Sequence, residues 1–438
     1  IIMMKKNRTI YFLLALVCLG LQSCLFQEED YFDDSSANRA TADVKRCSEL
    51  LEAAPNGWVM EYYVGKDYSL GGITLLCKFD GQRVTMASQI AGADETVSSL
   101  YSVKSEQATM LSFDTYNYLV HYFGQPQGSM ADDPNGTLGG DYEFVISDAT
   151  ADRIELKGKK YGNRIVMKAF SADQTWKQYL TRIKKVEDDA FFYEYDLRMD
   201  GLYTGQMLRS NYTFIVTYYD EVGKVYQKTV PFMFTTDGMR FHEPVTIDGQ
   251  TMQNFVWKNE EISFVCTDEG ATGVKMKGIY IDGYQSYDYY PGTYLMDFYR
   301  LNGATNQLEV ASQEIQLVKN EDGKSYWLKG LEYDILVTYD KPRGGLSILP
   351  QFLKKVQGGY VYLAMWDLMN DYVLRSSAIG LISYPTTDGI YLVDNGVWMG
   401  EISGFIFGVY DSQDEEASFM GYTDAVAAIR LIKKTIEE

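Results

Sequence analysis
Residues 141–170, DYEFVISDATADRIELKGKKYGNRIVMKAF, decide the fold class. Tyr142, Phe144 and Ile146 alternate with Glu143 and Val145. Ile154 and Leu156 alternate with Arg153, Glu155 and Lys157. Ile165 and Met167 alternate with Arg164, Val166 and Lys168. Side chains of a strand point to opposite faces in turn, so this period of two describes three strands laid over a core on one side. The turns between them are short and polar, which favours antiparallel neighbours over βαβ units.

Working outward, the same grammar recurs. Strand-like runs stand at Trp58 (WVMEYYV), Ile73 (ITLLCKF) and Arg83 (RVTMAS). Seven Asp-Gly and four Asn-Gly pairs punctuate the chain, among them Asp80-Gly81, Asp237-Gly238, Asp322-Gly323 and Asn395-Gly396. Such pairs suit tight hairpin turns because Gly, Asn and Asp tolerate positive φ. Tyr is abundant at 36, with 21 Phe and 6 Trp, and aromatic residues favour strands. Nine further runs follow the Pro291-Gly292 turn, at 294–300, 308–318, 325–330, 333–339, 345–349, 359–366, 378–384, 390–394 and 404–410. The fold class predicted is mainly β, antiparallel meanders forming a sandwich or barrel, with a few amphipathic helices.

Helices are expected at three places. Over 37–54, Val44, Cys47 and Leu51 share a face, and Pro55-Asn56-Gly57 stops the run. Residues 114–123 read as a short helix. A third helix is predicted from Ser171, with Ser171 and Gln174 as a capping box and Trp176, Tyr179, Leu180, Ile183 and Val186 as its apolar stripe. The ending AVAAIRLIKKTIEE reads as a strand or a closing helix. FIVTYY at 214–219 echoes WVMEYY at 58–63, and Asp237–Arg240 echoes Asp80–Arg83 at nearly the same spacing. The echo has two readings, a duplicated β unit or a chance similarity of Tyr-rich hairpins.

The N-terminal residues carry an address. Lys5, Lys6 and Arg8 precede the apolar run Ile10–Leu21, which ends in Leu21-Gln22-Ser23-Cys24. A basic, apolar, small-residue order describes a secretory signal over 1–23. The four residues ending at Cys24 resemble a bacterial lipobox, which implies acylation of Cys24 and a membrane anchor. Residues 24–36 then form an acidic tether. Its Glu28, Glu29 and Asp30 resemble the signal that exports lipoproteins of the Bacteroidota to the outer face of the outer membrane.

Without residues 1–23 the chain keeps 37 Lys and Arg against 60 Asp and Glu, a net charge near −23. Such a surface repels nucleic acid. Past Cys24 the cysteines are Cys47, Cys77 and Cys266, an odd number with no CxxC spacing. The expectation is buried thiols; one bridge remains open but unassigned. His121 and His242 are the two histidines, neither in a metal-spaced pair, and no GxSxG or Walker A motif occurs. No catalytic residue, metal site or cofactor is predicted. Asp132, Asp133, Asn135 and Asp141 hold oxygens suited to calcium but follow no EF-hand pattern, and a solvated turn is the reading preferred.

One functional feature does stand out. YQSYDYYPGTY places Tyr284, Tyr287, Tyr289 and Tyr290 in a turn-rich segment. Exposed rings stack on the apolar faces of sugars, which makes Tyr287 and Tyr290 candidates for ligand binding; the opposing reading is packing at a domain junction.

APNGWVMEYY, LLCKFDGQRVTMAS, SSLYSVKSEQATMLSFDTYNYLVHYF and GGDYEFVISDATADRIELKGKKYGNRIVMKAF together resemble a family of Bacteroidota lipoproteins described only as a domain of unknown function. The likeness is strongest over about 40–190. It implies a cell-surface accessory of Sus-like outer-membrane uptake systems. The run YWLKGLEYDILVTYDKPRGGLSILPQF, with Gly292-Thr293-Tyr294, resembles lipocalin-like domains of gut-bacterial lipoproteins. The organisation expected is therefore 1–23 signal, 24–36 tether, 37–190 helix plus β-rich domain, 191–285 second β-rich unit and 286–438 lipocalin-like domain, with a boundary at about 280–292. The function expected is non-enzymatic binding of a glycan or peptide nutrient, anchored to the membrane and in contact with an uptake complex. A hydrolase using paired carboxylates and a structural or adhesive envelope protein are the alternatives.

Overall fold
The computed structural model describes residues 35–126, 137–220, 222–414 and 416–434. The signal, Cys24, Glu28, Glu29, Asp30, and also Asp132, Asp133 and Asn135 lie outside the described residues. Two compact units are present. The first gathers the described residues through Lys185 with Asn211–Thr213 and Pro231–Pro244; the second holds Val186–Ser210, Phe214–Val230 and Val245 onward.

The chain is mainly β and antiparallel, with barrels rather than sandwiches. Helix α1 (Ser36–Ala53) starts at Ser35, whose hydroxyl accepts from the Asn38 amide at 3.2 Å. The first barrel follows as a meander of β1 (Trp58–Val64), β2 (Gly71–Asp80), β3 (Arg83–Ser88), β4 (Val97–Ser105), β5 (Thr109–Phe113), β6 (Glu143–Ala149), β7 (Arg153–Gly158) and β8 (Arg164–Ala169). Short helix α2 (Tyr118–His121) lies between β5 and β6. The barrel closes by pairing β1 with β8, Trp58 opposite Ala169.

The alternation seen in 141–170 now has its cause. Phe144, Ile154, Leu156, Ile165 and Met167 point inward and join Trp58, Met60, Tyr62 and Phe113 in one core. An eight-stranded barrel leaves an interior just wide enough for side chains, and these fill it. Cys47 and Leu51 of α1 belong to the same core, and the Trp58 indole donates to the Leu51 carbonyl at 2.8 Å. The first barrel is thus a packed core and not a ligand cup.

Helix α3 (Trp176–Asp189) begins later than the sequence predicts. The capping box is Thr175 and Gln178: Thr175 Oγ1 accepts from the Gln178 amide, and Gln178 Oε1 accepts from the Thr175 amide at 2.9 Å. Ser171-x-x-Gln174 and Thr175-x-x-Gln178 both fit the pattern, but only Thr175 abuts the apolar stripe. Leu180 packs with Phe170, Leu76 and Ala87 on the outside of the first barrel.

A second closed barrel orders β9 (Glu194–Met199), β10 (Leu202–Ser210), β11 (Thr213–Tyr219), β12 (Val225–Phe234), β13 (Gly238–Ile247), β14 (Gln250–Lys258), β15 (Ser263–Cys266) and β16 (Val274–Ile279), with β16 returning to β9. The repeated unit is therefore one helix followed by eight strands. The gap from the end of α1 at Ala53 to Trp58 equals that from the end of α3 at Asp189 to Glu194. The sequence echo is out of step with it. It matches β1 with β11, and the β2–β3 turn with the β12–β13 turn, a shift of two strands.

The third sheet has twelve strands: β17 (Gly292–Asn302), β18 (Gln307–Lys319), β19 (Ser325–Lys329), β20 (Ile335–Asp340), β21 (Gly345–Ile348), β22 (Gln351–Val356), β23 (Gly359–Asp367), β24 (Tyr372–Leu374), β25 (Leu381–Thr386), β26 (Gly389–Asp394), β27 (Gly404–Tyr410) and β28 (Phe419–Lys433). The C-terminal run, open between strand and helix on sequence, is strand β28. It joins two branches of this one sheet. From Val426 to Lys433 it pairs with β17, and at Arg430 and Leu431 with β26, closing a circuit through β18, β19, β20, β21 and β25. Its earlier half pairs with β27, from which β23 and β22 continue. Ala428, at φ 48°, lies in the bulge that interrupts the register with β17 between Ala427 and Arg430.

Candidate ligand-binding surface
The tyrosines singled out on sequence prove to be structural. Tyr290 is completely buried, and its hydroxyl donates to the Gly344 carbonyl at 2.8 Å. Tyr287 is half-buried, stacks on Tyr326 at 4.7 Å and donates to the Ser325 carbonyl at 2.8 Å. Tyr294 and Tyr326 donate to the carbonyls of Tyr290 and Tyr287. Tyr287 and Tyr290 thus belong to a packed tyrosine layer with their hydroxyls satisfied by backbone, and neither offers an open ring face to a sugar, while Tyr289 beside them stays 39% exposed. Packing, the opposing reading, is what the structure shows.

Other polar candidates are also absorbed. His242 lies between Tyr63 at 4.3 Å and Tyr68 at 4.2 Å, and burial lowers its pKa. His121 stacks on Tyr142 at 4.6 Å and contacts the Asn117 carbonyl at 3.0 Å. Asp141 faces inward, where its carboxylate accepts from the amides of Lys160 at 2.7 Å and Tyr161 at 3.1 Å. Burial pushes its pKa up against those bonds. Cys47, Cys77 and Cys266 are buried and unbridged, and burial raises all three thiols, Cys266 to about 11. Among the described residues no group of three or more His, Cys, Asp or Glu gathers as a metal site.

An aromatic row lies on the outer face of β22, β23, β27 and β28, exposed at its two ends and buried at Tyr410. Phe352 stands opposite Tyr362, and Tyr410 opposite both Tyr360 and Phe419. Ring centroids step from Phe352 to Tyr362 at 5.4 Å, on to Tyr410 at 5.8 Å, and to Phe419 at 5.5 Å. Phe352 and Phe419 are each 45% exposed, and Met420 and Tyr422 extend the patch. The Arg375 guanidinium lies 4.3 Å from the Tyr410 centroid and 4.8 Å from that of Tyr362, and it donates to the Asp414 carbonyl. A cation over two rings holds them in place. A Cβ on Gly408 would stand 2.9 Å from Tyr410 and 3.2 Å from Phe419, so glycine lets the rings settle onto the sheet.

The opposite face of the same strands explains the arrangement. Val361, Leu363, Phe405 and Phe407 point into the core, so Tyr360, Tyr362 and Tyr410 must point out. Aromatic residues at positions where a half-buried strand ordinarily carries polar ones are the signal that sequence reading missed. The exposed end formed by Phe419, Met420 and Tyr422 is a candidate interaction surface.

A family model matches residues 28–259, more than half of the chain. The chain belongs to that family, the Domain of unknown function (DUF4302). A second model, also described as a domain of unknown function (DUF4987), matches residues 267–406, which take in β16 through β26 and the start of β27. The DUF4302 match spans the first barrel and β9 to β14 of the second. No curated protein matches the chain. Among solved structures, a protein of unknown function from the DUF3598 family of Nostoc punctiforme is 7% identical, over 56% of this chain and 98% of its own, with a TM-score of 0.15. A mutant of the vaccine antigen Transferrin Binding Protein B from Haemophilus parasuis is 11% identical, over 84% of this chain and 67% of its own, with a TM-score of 0.12. At such scores neither bears on what this chain does.

Proposed function
We propose that this DUF4302 protein is a lipid-anchored accessory on the outer face of a bacterial outer membrane, of the Bacteroidota. There it holds a neutral nutrient, a glycan before a peptide, for a Sus-like uptake complex without turning it over. The observation that carries the reading is the aromatic row from Phe352 to Phe419, rings packed edge to face whose two ends, Phe352 and Phe419, are each 45% exposed and offer apolar surface to pyranose rings. The acidic composition disfavours strongly anionic polysaccharides. Modest affinity suffices, because many copies on one cell engage one polymer together.

A neutral-glycan array followed by calorimetry tests the reading. Binding is expected, with the substrate recovered intact, and Phe352→Ala with Phe419→Ala is expected to weaken it about tenfold. No binding to any neutral glycan or peptide pool, or cleavage of one, refutes it. The anchor rests on the lipobox order ending at Cys24. Cys24→Ala is expected to move the protein from the membrane fraction to the soluble one, and intact-mass analysis of the unmodified chain should show acyl groups on Cys24. An unmodified Cys24 on a membrane-bound chain would remove the anchor from the proposal.

A further inference from the structure
A second surface lies on the outer wall of the third sheet, a groove of about 500 Å³ between the β19–β20 turn and the start of β22. Its floor is Trp327, 36% exposed, which stands between its cross-strand partners Val318 and Leu336. The indoles of Trp58, Trp176, Trp257 and Trp398 all donate to a partner; those of Trp327 and of the buried Trp366 have none among the described residues, and of these two Trp327 is the exposed one. It is left for solvent or a ligand.

The walls combine apolar contact with balanced charge. Leu353 and Tyr333 face the groove, and Tyr333 is held by the core ring of Phe407 at 5.2 Å. Lys329 and Lys354 supply donors, Glu332 and Asp334 acceptors, and Lys329 pairs with Asp334 at 3.8 Å. An anion meets two carboxylates here and a cation meets two ammonium groups. An uncharged polyol suits all four, because each hydroxyl both donates and accepts.

The groove is also preformed. The Gln351 side chain imitates a strand partner: its Oε1 accepts from the Leu336 amide at 2.8 Å, and its Nε2 donates to the Leu336 carbonyl at 2.9 Å. This pair of hydrogen bonds to β20 fixes the first residue of β22, and so sets the wall that carries Leu353 and Lys354. Preorganisation of this kind spares a ligand the cost of ordering the site.

We infer that this groove is a subsite for a neutral oligosaccharide, stacked by a pyranose face on Trp327 and hydrogen-bonded through vicinal hydroxyls to Lys329, Glu332, Asp334 and Lys354. The inference rests on the glycan reading above and gives it a second, separate place of contact.

The test labels the whole protein with 5-fluorotryptophan, assigns the Trp327 fluorine signal with Trp327→Phe, and titrates in maltohexaose, cellohexaose, xylohexaose and mannohexaose, with hexagalacturonate and hexaglucosamine as charged controls. Calorimetry on the same samples measures total binding. The Trp327 signal is expected to shift saturably with at least one neutral sugar, while Trp327→Ala weakens that sugar at least about tenfold. Gln351→Ala is expected to lower affinity with the Trp327 ring still present. If a neutral sugar binds by calorimetry but leaves the Trp327 signal unmoved, the groove is refuted and the aromatic row keeps the glycan reading. If a charged control shifts the signal more than every neutral sugar, the neutral assignment is refuted. If none of the neutral sugars binds at all, the groove is refuted, and the glycan array and peptide pool decide the wider reading.

Discussion

Arg240→Ala is expected to destabilise the first unit by about 2–3 kcal/mol, because it strands a carboxylate that the fold has largely taken out of water. Arg240 Nη2 meets Glu61 Oε2 at 2.6 Å, and Lys168 Nζ meets the other oxygen at 2.9 Å. The Glu61 side chain keeps 14% of its exposure and Arg240 24%, whereas Lys168 keeps 44%. Losing Arg240 leaves Glu61 with its more exposed and better hydrated partner alone. Glu61→Gln with Arg240→Met removes both charges and is expected to recover most of the loss, since two uncharged residues of similar size need no counter-ion. Urea unfolding followed by circular dichroism measures all three proteins. An Arg240→Ala midpoint equal to that of the parent would show that the pair contributes nothing.

The same pair predicts a pH dependence. Burial raises the Glu61 pKa, but Arg240, and after it Lys168, outweigh burial and hold the carboxyl below its ordinary range. A carboxyl depressed in the folded state contributes stability above its unfolded pKa, about 4.3, and loses it as the pH falls through the folded value. Stability at pH 3.5 should therefore drop further in the parent than in Glu61→Gln, relative to each protein at pH 7.

Trp58→Ala is expected to cost about 3–5 kcal/mol, the range for deleting a fully buried large side chain. Trp58 has no exposure, sits in the first barrel at the start of β1, and donates to the Leu51 carbonyl near the end of α1. Its loss opens a cavity and also removes the bond that ties α1 to the barrel. Hydrogen exchange along Ser36–Ala53 should then rise well above exchange in β6 to β8. Trp58→Phe keeps most of the packing and loses the indole bond, so about 1–2 kcal/mol is expected. Equal exchange in α1 for parent and Trp58→Ala would show that the tether is immaterial.

Much of this architecture can be read in the chain because its strands are half-buried. In 141–170 one face is apolar and the other charged, and the pleat converts that alternation directly into inside and outside. Helix α1 was legible for the same kind of reason, through Cys47 and Leu51 on one face and Pro55-Asn56-Gly57 at its end. The start of α3 was misplaced because two capping patterns stand one after the other in the segment, and the choice between them lies with the contacts of Leu180 against Leu76 and Ala87. The duplication was visible only as a shifted echo, since Tyr-rich hairpins resemble one another whichever strands of a barrel they join.

The binding surface was the least legible part. Tyr287 and Tyr290 looked like a platform because turn-rich aromatic segments are usually exposed. Only the fold shows carbonyls of Gly344 and Ser325 standing where their hydroxyls need acceptors. Phe352, Tyr362, Tyr410 and Phe419 come from four strands and attract no notice in the chain. By itself, then, the sequence determined the β class, the antiparallel hairpins, the two longer helices and the polarity of each strand, all consequences of periods shorter than ten residues. The tertiary structure alone decided how strands close into circuits, which tyrosines are sealed and which rings meet at the surface. Those depend on pairings between distant residues, and local alternation does not encode them.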